Sequence, residues 1–119
     1  MKYRPAIQSF LPLKPHWFHV LLSLAAGEQH GYAIMQEVLD RTDGKVRLWP
    51  ATLYGTLKRL MEDNLVEETA APTAADPRRR YYRLTRLGRE VLDAECARLE
   101  ELVRMIHARR GLRERKLES

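Results

Sequence analysis

Cysteine is nearly missing from this chain: Cys96 stands alone among 119 residues. One thiol excludes an internal disulfide and a zinc site built from four thiolates. Long apolar runs are missing too, and no stretch approaches the roughly 18 residues that a membrane span needs. The opening Met1-Lys2-Tyr3-Arg4-Pro5 lacks the apolar run and cleavage site of a secretory signal. A cytoplasmic protein that makes no use of a membrane is therefore expected. Serine is scarce, and there is no glycine-rich phosphate loop, no His-Glu-x-x-His pair and no nucleophile elbow. Neither an enzyme nor a cofactor is expected. His16 and His19 lie three apart, but no carboxylate or cysteine accompanies them locally, so they read as ordinary surface or core histidines and no metal is expected.

Acidic charge is the weaker sign. Sixteen Asp and Glu face 21 Lys and Arg, a net charge of +5. The excess suggests a polyanionic partner. With 45% hydrophobic and 31% charged residues the chain reads as a folded single domain, not as a disordered one. At this length roughly two-thirds of the unfolded surface can be buried.

Residues 1–12 form a short arm closed by Pro12. Helical spacing then begins near Lys14, with Pro15 suited to a first turn, Phe18, Leu21, Leu22 and Ala25 facing a core, and Gly27 as the stop. A second helix is predicted from Gly31 to Arg41, with Ile34 and Val38 on one face. Thr42-Asp43-Gly44 is a turn, and Val46-Arg47-Leu48 alternates like a small strand. Pro50 opens a third helix that ends near Asp63; Leu53, Leu57, Leu60 and Met61 make its apolar stripe. Asn64 follows, a residue that tolerates a left-handed cap. Leu65–Glu68 and Arg80–Leu84 read as two strands joined by a long loop ending in Asp76-Pro77-Arg78-Arg79-Arg80. One of Tyr81 and Tyr82 should face the core, because strand side chains alternate.

Thr85 is a good N-cap for a last helix, predicted to reach about Arg110. Leu92, Cys96, Leu99, Val103 and Ile106 are spaced by four, three, four and three, a coiled-coil seam that Leu102 widens. Such a helix is on the order of 35 Å long, more than a small domain can cover. The seam is therefore expected to pair two copies, with Cys96 as a small core residue within it. Gly111 to Ser119 is a charged tail expected to fray.

The fold class is thus mainly α with a small β-hairpin: a winged helix-turn-helix over 13–84, a dimerisation helix over 85–110 and a tail over 111–119. A major groove admits one α-helix, whose outer side chains then reach base edges. Thr52, Tyr54, Gly55, Thr56, Lys58 and Arg59 all lie off the apolar stripe of the third helix. Several are small, which permits close approach. Arg59 can donate two hydrogen bonds to guanine, and Lys58 can reach a phosphate. The mid-helix glycine, Gly55, costs about 1 kcal/mol of helix propensity; either close approach to DNA or tight helix packing would account for it. From Asp76 to Arg89 six arginines face one acid, a local +5 equal to the charge of the whole chain. Guanidinium groups concentrated on Arg78, Arg79 and Arg80 suit phosphate contact.

Three stretches carry a family resemblance. They are His30-Gly31-Tyr32-Ala33-Ile34, the ten residues Ala51-Thr52-Leu53-Tyr54-Gly55-Thr56-Leu57-Lys58-Arg59-Leu60, and Arg80-Tyr81-Tyr82-Arg83-Leu84-Thr85-Arg86-Leu87-Gly88. In this order the chain resembles the PadR family of transcriptional regulators, in its form with a single C-terminal helix. The resemblance implies a dimeric winged-helix protein, usually a repressor, on double-stranded DNA, with Tyr54, Lys58 and Arg59 facing the duplex. Asn64 stands where the family often has glycine. The resemblance also implies a small-molecule effector, for which a cavity near Trp17 and Leu99 is the candidate. The last helix lacks the tryptophan that short members use to stack flat drugs. The rival reading is a winged helix that binds an acidic protein through its basic loop. A third helix offering Thr, Gly, Thr, Lys and Arg favours DNA.

Overall fold

The computed structural model of the chain describes residues 7–70 and 78–118, the side chains at 114 and 116–118 apart. A single 3-10 turn (Ile7–Phe10) leads into α1 (Pro15–Leu24), β1 (Gln29–His30), α2 (Gly31–Arg41), α3 (Pro50–Glu62), β2 (Val66–Thr69), β3 (Tyr81–Leu84) and α4 (Arg86–Glu118). The mainly helical body carries one small antiparallel sheet in the order β1-β3-β2. No described helix is long and apolar enough to cross a membrane.

Helix ends follow the local chemistry. Pro15 and Pro50 occupy the first turns of α1 and α3, where a missing N–H costs nothing. Asn64 adopts the left-handed conformation at φ 61°. Its N–H bonds the Met61 carbonyl and the Leu65 N–H bonds the Leu60 carbonyl, which closes α3 in a Schellman motif. Thr85 caps α4, accepting from the Gly88 N–H at 2.9 Å while donating to the Asn64 carbonyl at 2.6 Å.

The core is one cluster. Val20, Leu21 and Leu24 of α1 meet Ile34 and Val38 of α2, Leu53, Leu57 and Leu60 of α3, Tyr82 of β3, and Val91 and Leu92 of α4. Phe18, Leu22 and Ala25, expected inside, are only half-buried; Val20 and Leu24 take the deep positions instead. Tyr82 is the inward member of the tyrosine pair. A polar clamp joins α1 to α2. Arg41 donates to the Ser23 hydroxyl, the Glu37 carboxylate and the His19 carbonyl, and Gln29 donates to Glu37 and the Ser23 carbonyl.

Three expectations are corrected. Val46–Leu48 forms no strand. Leu48 is a buried anchor, and the Val46 N–H is satisfied by the Thr42 hydroxyl at 3.0 Å, which leaves no ladder to join. The third strand is instead the two-residue β1, paired with β3 through Gln29 to Tyr82 and His30 to Tyr81. The tail beyond Arg110 is not separate: α4 continues to Glu118 and is about 50 Å long. Gly111 costs about 1 kcal/mol there, too little to stop a helix flanked by Leu and Arg. Leu92, placed on the dimer seam from sequence, lies in the domain's own core at 3% exposure. The start of α4 packs on α1 and on the 3-10 turn, and this packing covers it.

Candidate nucleic-acid interface

The apolar stripe of α3 turns inward, so its opposite side is presented to solvent. Ala51, Thr52, Gly55, Lys58 and Arg59 are exposed along it. Thr56 is not, at 8% exposure. One turn from both Leu53 and Leu60, it sits on the inner edge, and its placement on the outer face is corrected. A Cβ built on Gly55 would meet no atom within 4 Å. Tight helix packing therefore does not account for this glycine, and the helix surface there is open.

Tyr54 lies on the flank toward α2 and is 47% exposed. Its ring covers Gly31; a Cβ added there would sit 2.5 Å from the phenol oxygen. Packing and exposure thus coexist in one side chain. Tyr54 forms one wall of a cleft of about 610 Å³. His30, Gly31 and Tyr32 line it from the start of α2, and Arg78, Arg79, Arg80 and Tyr82 from the wing. The helix α3 and the arginine loop therefore border one concavity. Residues 71–77, which include Asp76 and Pro77 of the predicted loop tip, lie outside the described residues.

The local positive excess is smaller in the fold than along the chain. Register pairs Glu67 with Arg83 and Glu68 with Tyr82. Arg83 consequently bonds Glu67 at 2.7 Å, and Arg80 stands 3.7 Å from Glu68. Both glutamates precede the loop by sequence, so a count along the chain from Asp76 omitted them. Arg79 instead points its guanidinium at Nε2 of His30, 2.8 Å away. Desolvation first, and Arg79 second, lower the His30 pKa below the ordinary histidine value.

Sequence reasoning also missed Trp49, which precedes α3 and is 63% exposed, with the Arg47 guanidinium 5.0 Å from its ring centroid. An exposed tryptophan beside a basic residue was a legible signal.

On α4, Cys96 is half-buried against the core, and burial followed by Asp93, Glu100 and Glu95 raises its thiol pKa. A thiol so disposed is a poor redox sensor. Leu99, Leu102, Val103 and Ile106 are exposed, with Ile106 at 49%. Trp17 lines a recess of about 350 Å³ together with Phe10, Leu11, Lys14 and Asp63. In a single copy Leu99 does not line this recess. Among the described residues no cluster of three His, Cys, Asp or Glu side chains is placed to hold a metal.

Comparison with known proteins gives this geometry a context. A family model described as the transcriptional regulator PadR-like family matches residues 20–94. A transcriptional regulator of Mycobacterium tuberculosis is 40% identical over 89 residues, spanning 74% of this chain and 78% of its own length. A Lysinibacillus sphaericus protein described as uncharacterized protein X is 30% identical over 87 residues, 71% of this chain and 80% of its own. Among solved structures, a PadR family transcription regulator from Clostridium difficile superposes with a TM-score of 0.68 at 23% identity, covering 80% of this chain and 97% of that one. Bacillus subtilis PadR in complex with operator DNA gives a TM-score of 0.60 at 20% identity, covering 68% of this chain and 46% of that one. These last two are likenesses of fold.

Proposed function

The chain belongs to the PadR-like family of DNA-binding transcriptional regulators, and from that premise we propose that it acts as a homodimeric repressor whose two α3 helices enter successive major grooves of an inverted-repeat operator. The observation that carries this reading is the outer face of α3: small at Ala51, Thr52 and Gly55, basic at Lys58 and Arg59, and bordered by a cleft that the wing arginines complete. Arg59 donates to base edges, Lys58 and Arg78 to Arg80 contact phosphates, and Tyr54 contacts the backbone from the flank of the helix. Twofold symmetry requires half-sites about one helical turn, or a multiple of it, apart.

Pairing is supported by the exposed stripe of Leu99, Leu102, Val103 and Ile106, which no described residue of a single copy covers. Release by a small molecule is part of the proposal. The recess beside Trp17 reaches Asp63 at the end of α3, so a flat apolar ligand seated there would bear on the recognition helix. Titration of tryptophan fluorescence with such ligands tests this, and the absence of any saturable change defeats it.

Selection of bound fragments from genomic DNA, followed by mobility shifts, tests the main reading. If about six basic side chains meet phosphates, the log–log dependence of affinity on salt has a slope of roughly −5. Arg79→Ala weakens all sequences alike, whereas Arg59→Ala relaxes the base preference. A salt-independent affinity, or an Arg59→Ala protein with the parental preference, overturns the assignment.

A further inference from the structure

His30 is asked to accept two hydrogen bonds with one imidazole. Its Nδ1 faces the Ala33 N–H at 3.2 Å, the side-chain cap of α2. Its Nε2 faces Nη1 of Arg79 at 2.8 Å. Both partners are donors, since a backbone N–H and a guanidinium can only donate. A neutral imidazole bears one N–H and one lone pair, so it accepts at one nitrogen only. Its ring also packs at a right angle to Tyr81, with centroids 5.4 Å apart. Protonation offers no escape, because both nitrogens then become donors, and desolvation, then Arg79, shift the pKa down, toward the neutral ring.

Among the described residues, the other charged and titratable groups nearby do not lift the conflict. Arg78, Arg80, Tyr54 and Tyr82 line the cleft on one side of His30. On its other side His30 borders a groove along α2 together with Arg79, Glu37, Asp40 and Arg41; no bond joins either carboxylate to His30 or Arg79, and Glu37 is already engaged by Arg41 and Gln29.

We propose that His30 is a positioning residue that serves the α2 cap and the wing arginine in alternation: with its proton on Nδ1 it holds Arg79 over the cleft, and with its proton on Nε2 it caps α2 and releases Arg79. The exchange is a loss of the Nδ1 proton to water and a gain at Nε2, with no net change in charge. The bond lost when Arg79 moves to a phosphate is replaced by the helix cap, so engagement of the wing on DNA and tightening of the first turn of α2 occur together. This coupling rests on the DNA-binding role proposed for Arg79; the alternation itself does not.

Long-range proton–nitrogen NMR of the full chain reports which imidazole nitrogen carries the proton, and amide exchange at Ala33 reports the cap. In Arg79→Ala, without DNA, the His30 signal is expected to move to the Nε2–H form, and Ala33 exchange to slow several-fold. A mixed-sequence duplex at low salt is expected to produce the same two changes in the parent. His30→Asn supplies a capping oxygen too short to serve Arg79 as well. Its Ala33 amide is expected to exchange slowly with and without the duplex. An unchanged tautomer in Arg79→Ala overturns the alternation. A duplex that binds, by mobility shift, yet leaves the His30 tautomer unmoved overturns its coupling to DNA. A duplex that fails to bind at all counts against the DNA reading, and Arg79→Ala still decides the alternation.

Discussion

The two halves of α4 share one apolar rhythm and meet different fates. From Arg86 to about Cys96 the stripe is consumed by the chain's own body: Val91 and Leu92 are core, and Glu95, at 2% exposure, accepts from the Leu13 N–H at 2.8 Å and from Arg98. From Leu99 onward the same spacing continues into solvent. A heptad pattern therefore states that a face will be covered without stating by what. The first half is covered because α1 and the 3-10 turn lie beside it, and the second projects past the described residues of a single copy.

This contrast can be broken from either side. The largest effect is expected at the junction. A Cβ on Gly88 would lie 1.9 Å from the Leu65 carbonyl oxygen, a backbone atom that cannot yield cheaply. Gly88→Ala should cost about 3 kcal/mol or more, seen as a collapsed thermal transition. Leu92→Ala, in the covered half, should cost about 2–5 kcal/mol by denaturant unfolding. Val103→Glu, in the uncovered half, should leave that unfolding of the single chain unchanged while sedimentation reports loss of the dimer and operator affinity falls. A Val103→Glu protein that stays dimeric would remove the α4 stripe from the proposed interface.

Smaller effects sharpen the picture. Glu95→Gln weakens the tie between α4 and the segment before α1, for about 1–3 kcal/mol. Its hydrogen bond from Arg98 is the main cause of a carboxyl pKa below the ordinary range, ahead of the opposing desolvation and the Leu13 N–H. A depressed folded-state pKa confers stability that is present above the unfolded-state value and lost as pH falls through the folded one. The acid limb of a stability profile should therefore flatten in Glu95→Gln. At the small end, Gly55→Ala should stabilise the fold by about 0.5–1 kcal/mol, since nothing contacts the new methyl group. It should also weaken operator binding, and a gain in stability with unaltered binding would argue that α3 approaches DNA elsewhere.

Much of the frame was legible because it is local. The bounds of α2, the left-handed Asn64 and the Thr85 cap follow from short-range rules, and each stands where the residues indicated. What escaped the sequence is non-local. Val46–Leu48 has the alternation of a strand but no neighbour to pair with. Gln29–His30 has no strand signal and becomes one because β3 passes beside it. On α3, Thr56 looked available, yet the fold buries its edge of the helix.

By itself, the order of residues determined the helices, their caps, the apolar stripes and the presence of a basic loop, all of which depend on neighbours within a turn or two. Only the tertiary structure decided which stripe is buried in one copy, which arginines meet glutamates across the hairpin, and that a single imidazole stands between a helix cap and a wing arginine. Those outcomes depend on groups up to 82 positions apart in sequence, as for Leu13 and Glu95, and no local rule carries the distance between them.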